Sequence, residues 1–152
     1  MGDVSLPDLT AGVRAALTAE LGEGHVGLPV AGQPPVYPYA GVAVPQLSSE
    51  EGQTMGRYRR TAVYQIRAWG QAQGIDPESL ASAAEALADR VHTALEVARL
   101  HPQSTLYAIP SFALRTTLAA AGEPHLPSGV QLTMALTMSW ERRTGLIGRS
   151  AP

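Results

Sequence analysis

The stretch RYRRTAVYQIRAWG, from Arg57 to Gly70, decides the fold. Within it Ala62, Tyr64, Ile66 and Ala68 alternate with Arg59, Thr61, Val63, Gln65 and Arg67. Successive side chains of a β-strand point to opposite faces. This alternation therefore predicts a strand from Tyr58 to Trp69 with one apolar and one wet face. Four arginines (Arg57, Arg59, Arg60, Arg67) share the stretch with Tyr58, Tyr64 and Trp69, a mixture that a single-strand nucleic-acid surface would also show. However, Tyr64 falls in the apolar set, and Tyr58 and Arg60 lie at the strand's beginning, so rings and charges form no single platform. A solvated or subunit-facing surface is the better reading.

Working outward, Gly70 and the following QGID end this strand. Asp76 then stands as an N-cap, Pro77 as the first helical residue and Glu78 in the first turn. Leu80, Ala84, Leu87, Val91, Leu95 and Ala98 recur at helical spacing, which predicts a second helix. Arg99 and His101 suit its C-terminal dipole, and Pro102 closes it. Upstream, Ser5 and Asp8 have capping-box spacing with Pro7 in the first turn, and Leu9, Val13, Leu17 and Leu21 form the stripe of a first helix. Gly22 and Gly24 stop that helix. His25 to Pro35 reads as a Gly/Pro loop.

VYPYAGVAV (Val36 to Val44) is strand-like, but Pro38 cannot donate to a ladder. The run belongs at a sheet edge or begins its pairing after the proline. PQLSSEEGQTMG (Pro45 to Gly56) reads as a polar connection. Downstream, STLYAIPSFALRTTLAAAG is a strand broken at Pro110. VQLTMALTMSWE alternates Val130, Leu132, Met134, Leu136, Met138 and Trp140 against polar or small residues, which predicts a long amphipathic strand. The expectation is an α+β fold in the order α-β-β-α-β-β: about four mostly antiparallel strands with two helices packed on one face. Residues 1–141 form one domain and 142–152 a short, loose C-terminal tail.

Composition removes several functions. The chain has 152 residues, 45% of them hydrophobic, enough for one core. The net charge is −2, so the molecule as a whole is no polycation seeking phosphate. All 11 basic residues are arginine. With no cysteine there is no disulfide framework, thiolate zinc site or cysteine nucleophile. MGDVSLPDL lacks the basic and apolar regions of a signal peptide, and no apolar run approaches the ~18 residues of a membrane span.

Motifs for chemistry are equally sparse. His25, His92, His101 and His125 form no pair at metal-ligand spacing. Ser48 to Glu51 (SSEE) offers adjacent carboxylates, but in a polar connection both are expected to be solvated rather than to act as acid and base. GEGHVG follows a helix instead of linking strand to helix, so it lacks the context of a phosphate cradle. Neither an enzyme nor a cofactor is expected.

The ordered elements resemble the tail terminator, or tail completion, proteins of long-tailed bacteriophages and related phage-like particles. The resemblance rests on VRAALTAEL, the proline-tyrosine segment VYPYAGVAV, TAVYQIRAWG ending at Trp69, ESLASAAEALADRVHTAL and VQLTMALTMSW. It implies a non-enzymatic α+β subunit of the virion that assembles with itself as a ring, usually a hexamer. Such a ring sits on the head-proximal end of the tail tube, ends tube growth and offers the joint to a head-tail connector or neck protein. Genome DNA passes through its lumen without specific binding.

The family supplies no site residues to carry over, so the candidates come from physics. A ring closes through heterologous contacts, and arginine is enriched in interfaces. Glu50, Glu51, Arg57, Arg59, Arg60, Arg67, Arg142 and Arg143 are therefore the candidates for subunit contacts or a lumen lining. Competing readings are a neighbouring head-tail joining protein, a ferredoxin-like small-ligand or regulatory module, and a nucleic-acid-binding domain.

Overall fold

A computed structural model describes residues 5–51, 57–100, 111–118 and 129–143. Its elements are α1 (Leu6–Leu21), β1 (Val26–Gly27), β2 (Tyr39–Val42), β3 (Gln46–Glu51), β4 (Arg57–Gln71), α2 (Pro77–Leu100), β5 (Ser111–Leu118) and β6 (Gly129–Arg143). The class is α+β as expected. The sheet has six strands rather than about four, and the order is α-β-β-β-β-α-β-β.

Both helices begin where their caps place them. The Ser5 hydroxyl accepts from the Asp8 N–H at 3.2 Å, satisfying one orphan donor of α1. Gly22 ends that helix at φ +109°, a conformation that suits glycine, and its N–H donates to the Thr18 carbonyl at 2.8 Å. The Asp76 carboxylate accepts from the Ser79 hydroxyl at 2.8 Å and the Ser79 N–H at 3.0 Å. These two bonds hold its carboxyl below the usual carboxylate range. Leu9, Val13, Leu17 and Leu21 of α1 are buried, as are Leu80, Ala84, Leu87, Val91, Ala94 and Leu95 of α2.

The sheet runs β1-β2-β4-β6-β5, with β3 also pairing β4. Its spine is the antiparallel ladder from Arg57↔Arg143 to Gln71↔Gly129. On the helix side this ladder pairs Ala62 with Met138, Tyr64 with Leu136, Ile66 with Met134 and Ala68 with Leu132, all fully buried. The two apolar sets predicted from alternation thus meet in register beneath both helices.

The segment expected as a polar connection, Pro45 to Gly56, is corrected: Gln46–Glu51 is a strand. β2 and β3 lie along the same side of β4 and form one interrupted strand. Val42 pairs with Ile66 and Gln46 with Val63, so Ala43–Pro45 stand against only Tyr64 and Gln65. This is a bulge, held by Ala43 N–H donating to the Gln65 carbonyl at 3.0 Å. Pro45 has no N–H to lose there, and Val44 is 81% exposed. An outer strand of polar residues carries no apolar alternation, so periodicity does not reveal it.

Pairing in β2 starts directly after Pro38, whose peptide bond with Tyr37 is cis. The outermost place at that end belongs to β1, because Val26 and Gly27 pair in parallel with Ala40 and Gly41. The expected loop from His25 to Pro35 therefore contains a two-residue strand. Its following residues cross the sheet face opposite the helices: a Cβ on Gly41 would lie 2.5 Å from Pro29 Cα. β5 begins after Pro110, and the remainder of its expected broken strand lies outside the described residues. β6 reaches Arg143, so the expected boundary at 141 falls inside a strand.

Candidate assembly surface

Both helices cover one face of the sheet, and neither covers the other face. Strand alternation and register determine what that second face displays. One band holds Gln46, Ser48 and Glu50 of β3, Val63, Thr61 and Arg59 of β4, Thr137, Ser139 and Glu141 of β6, and Ala113 and Ser111 of β5. Further along stand Gln65 and Arg67, then Ala135 and Thr133, with Arg115 on β5. Nearly all are small or polar, and the Thr61 and Ser139 hydroxyls lie 3.1 Å apart. Four arginines stand on this face: Arg57, Arg59, Arg67 and Arg115.

Its charges are arranged unevenly. Glu50 lies across from Arg59 on one side and Glu141 on the other, giving a row of alternating sign over three strands. Arg57 Nη1 also lies 3.6 Å from Glu141 Oε1, with side chains 41% and 53% exposed. An exposed pair of this kind contributes ~0–1 kcal/mol. At the other end Arg67 has Gly41 and Thr133 as ladder neighbours, and Arg115 has Ala135. Neither arginine has a carboxylate across from it.

The eight candidate residues are therefore split. Glu50, Arg57, Arg59 and Arg67 share the helix-free face. Arg60 belongs to the opposite set, across from Ser49 and Trp140, and is half-buried. Glu51 and Arg142 pair through their backbones with Tyr58, and Arg143 with Arg57. Sequence reasoning missed Arg115, although FALRTTL alternates Phe112 and Leu114 against Ala113 and Arg115. It also missed the outward stripe of α2, where Glu78, Glu85, Asp89 and Glu96 are all exposed. Their spacing of seven, four and seven residues is the signal that could have found it.

The wet face is not wet throughout. Trp69 follows Arg67 on that side yet is 1% exposed, with its ring 5.7 Å from that of Tyr39 and tilted by 48°. Val30 and Tyr37 pack against the pair, and Tyr39 Oη donates to the Leu28 carbonyl at 2.7 Å. The segment after β1 therefore seals one end of the face.

Elsewhere the polar groups are structural. Burial pushes the Tyr64 phenol up, while its 2.7 Å bond to Thr10 and the nearby Arg14 charge pull it down. Arg14 also donates to the Val42 carbonyl beside the bulge at 3.5 Å. His25 Nδ1 lies 2.6 Å from the Pro38 carbonyl, and His92 bonds to Thr116. Among the described residues no three His, Asp or Glu side chains gather as a metal site. The adjacent carboxylates of the SSEE run sit in β3, with Glu50 across from Arg59 and Glu51 across from Tyr58. A cleft of about 240 Å³ lies between α2 and the turn at Pro38, lined by Gly70, Ala83, Leu87 and Arg90. Its guanidinium is engaged by Glu20 at 3.2 Å to the carboxylate and 3.0 Å to the carbonyl.

No family model matches the chain, and no curated protein matches it. Among solved structures, a chain from the virion of a native gene transfer agent particle is similar in fold. Its TM-score is 0.55 at 14% identity, over 90% of this chain and 96% of that one.

Proposed function

We propose that the protein is a structural component of a phage-like particle, and specifically a tail terminator. In this reading it forms a closed ring, six-fold as in the family it resembles, on the head-proximal end of the tail tube. The ring ends tube polymerisation, joins the connector or neck protein, and lets DNA pass through its lumen. It carries out no catalysis.

The observation that carries the proposal is the fold shared, almost end to end, with a virion chain of a gene transfer agent particle. Two further features support it. On the helix-free sheet face Arg67 and Arg115 have neutral ladder neighbours, as a surface awaiting a protein contact would. The net charge of −2 suits a lumen through which DNA slides, because affinity from counterion release grows with each phosphate neutralised.

The experiment is assembly of the cognate tail tube protein with and without this chain, followed by electron microscopy. Tubes of limited length with a ring of extra density at one end are expected. Unchanged tube growth together with binding to the connector would favour the neighbouring head-tail joining protein and exclude the terminator.

A further inference from the structure

Exposed carboxylates line α2, whereas arginines outnumber carboxylates on the helix-free sheet face. Glu78, Glu85, Asp89 and Glu96 are exposed on α2, and at 3.6 residues per turn they fall within about 20° of one line. That line points away from the buried stripe of Leu80, Leu87 and Val91. From Glu78 to Glu96 it runs ~27 Å. The arginines of α2 are engaged to the side of it: Arg90 with Glu20, and Arg99 over the Phe112 ring at 5.2 Å. Among the described residues no ion pair ties down the four carboxylates.

The sheet face on the other side of the molecule is net positive, with Arg57, Arg59, Arg67 and Arg115 against Glu50 and Glu141. Arg59 and Arg67 lie ~26 Å apart along β4, since a strand rises ~3.3 Å per residue. Arg115 stands two strands away from Gln65. Between them Thr61, Val63, Ala135 and Thr137 are small, with Gln65 the one longer side chain of β4 in that stretch.

We infer that the helix-free sheet face binds the α2 helix of a second copy of this chain, with the Glu78–Glu96 stripe set along the Arg59–Arg67 row. The two patches match in length and are opposite in net sign, the excess positive charge of the sheet lying at Arg67 and Arg115, which have no carboxylate across from them. They lie on different surfaces of one chain, so the contact is heterologous: each copy offers a helix to one neighbour and a sheet to the other. Repetition of such a contact gives a ring when the rotation closes. The inference rests on the ring reading above and names its interface.

The test uses two paired charge reversals, Glu85→Arg/Asp89→Arg on the helix and Arg59→Glu/Arg67→Glu on the sheet. All four positions are exposed, and circular dichroism confirms folding. Native mass spectrometry and sedimentation velocity at low ionic strength read assembly. The unaltered chain self-associates, less so as salt rises. Each reversed variant alone associates at least about a hundredfold more weakly, because like charges then face one another. A one-to-one mixture of the two variants restores association, since every contact again joins opposite charges. Rings formed by both variants alone, or no rescue on mixing, would overturn this interface while leaving the ring intact. An unaltered chain that stays monomeric with and without tube protein would overturn the ring and the interface together.

Discussion

The Tyr64 phenol and the Thr10 hydroxyl lie 2.7 Å apart, joining the middle of β4 to the beginning of α1 inside an otherwise apolar layer. Tyr64 is fully buried and harder to ionise than a free phenol, with burial as the main cause. A group whose folded pKa is raised contributes stability that is complete below the unfolded value of 10.0 and is lost as pH rises through the folded one. Tyr64→Phe should cost about 1 kcal/mol at pH 7 through the lost hydrogen bond. It should also flatten the alkaline fall in stability, as read by urea denaturation from pH 7 to above pH 10.

Asp76 works in the opposite direction. Its carboxyl is lowered by the Ser79 bonds, so its contribution is present above the unfolded pKa and is lost as pH falls through the folded one. Asp76→Asn retains a capping side chain at neutral pH and should remove part of the acid destabilisation. Thermal melts at pH 7 and pH 3 would show a smaller difference than in the unaltered chain.

Gly41 has no room for a side chain, because Pro29 Cα would lie 2.5 Å from an added Cβ. The obstacle is backbone, so relief requires the crossing segment to lift from Trp69 and Tyr39. Gly41→Ala should destabilise by about 1–3 kcal/mol. Increased solvent access to Trp69 should accompany the change and appear as a red-shifted fluorescence.

Arg59→Glu sets a third carboxylate between Glu50 and Glu141 at an exposed position, and should cost about 1 kcal/mol while leaving the chain folded. Assembly should weaken. Arg60 lies on the other side of the same strand, so Arg60→Glu should leave the contact made by the helix-free face untouched. Equal loss of assembly in both variants would count against that face as the interface.

The fold was legible wherever a residue pattern had one cause. Leu9 to Leu21, Leu80 to Leu95 and the two alternating sets of β4 and β6 are each buried by a single partner layer, so period and burial agree. β3 was hidden because Ser48, Ser49 and Glu50 face water on both sides of an outer strand. β1 was hidden because two residues carry no period. Trp69 shows a different limit: its place beside Arg67 implied a wet neighbour, but the segment that buries it lies some thirty to forty residues earlier in the chain. The candidate surface was half legible. Alternation separated Arg59 and Arg67 from the core, whereas the placing of Arg59 between Glu50 and Glu141, and of Arg67 between Gly41 and Thr133, depended on a strand register that no local pattern contains.

The proposed function requires that this chain close into a ring. Native mass spectrometry of the purified chain, alone and with its tail tube protein, tests it most directly. One closed oligomer of defined stoichiometry, the hexamer, stabilised by the tube, is expected. Only monomer in both conditions, at concentrations where the tube protein assembles, would contradict it.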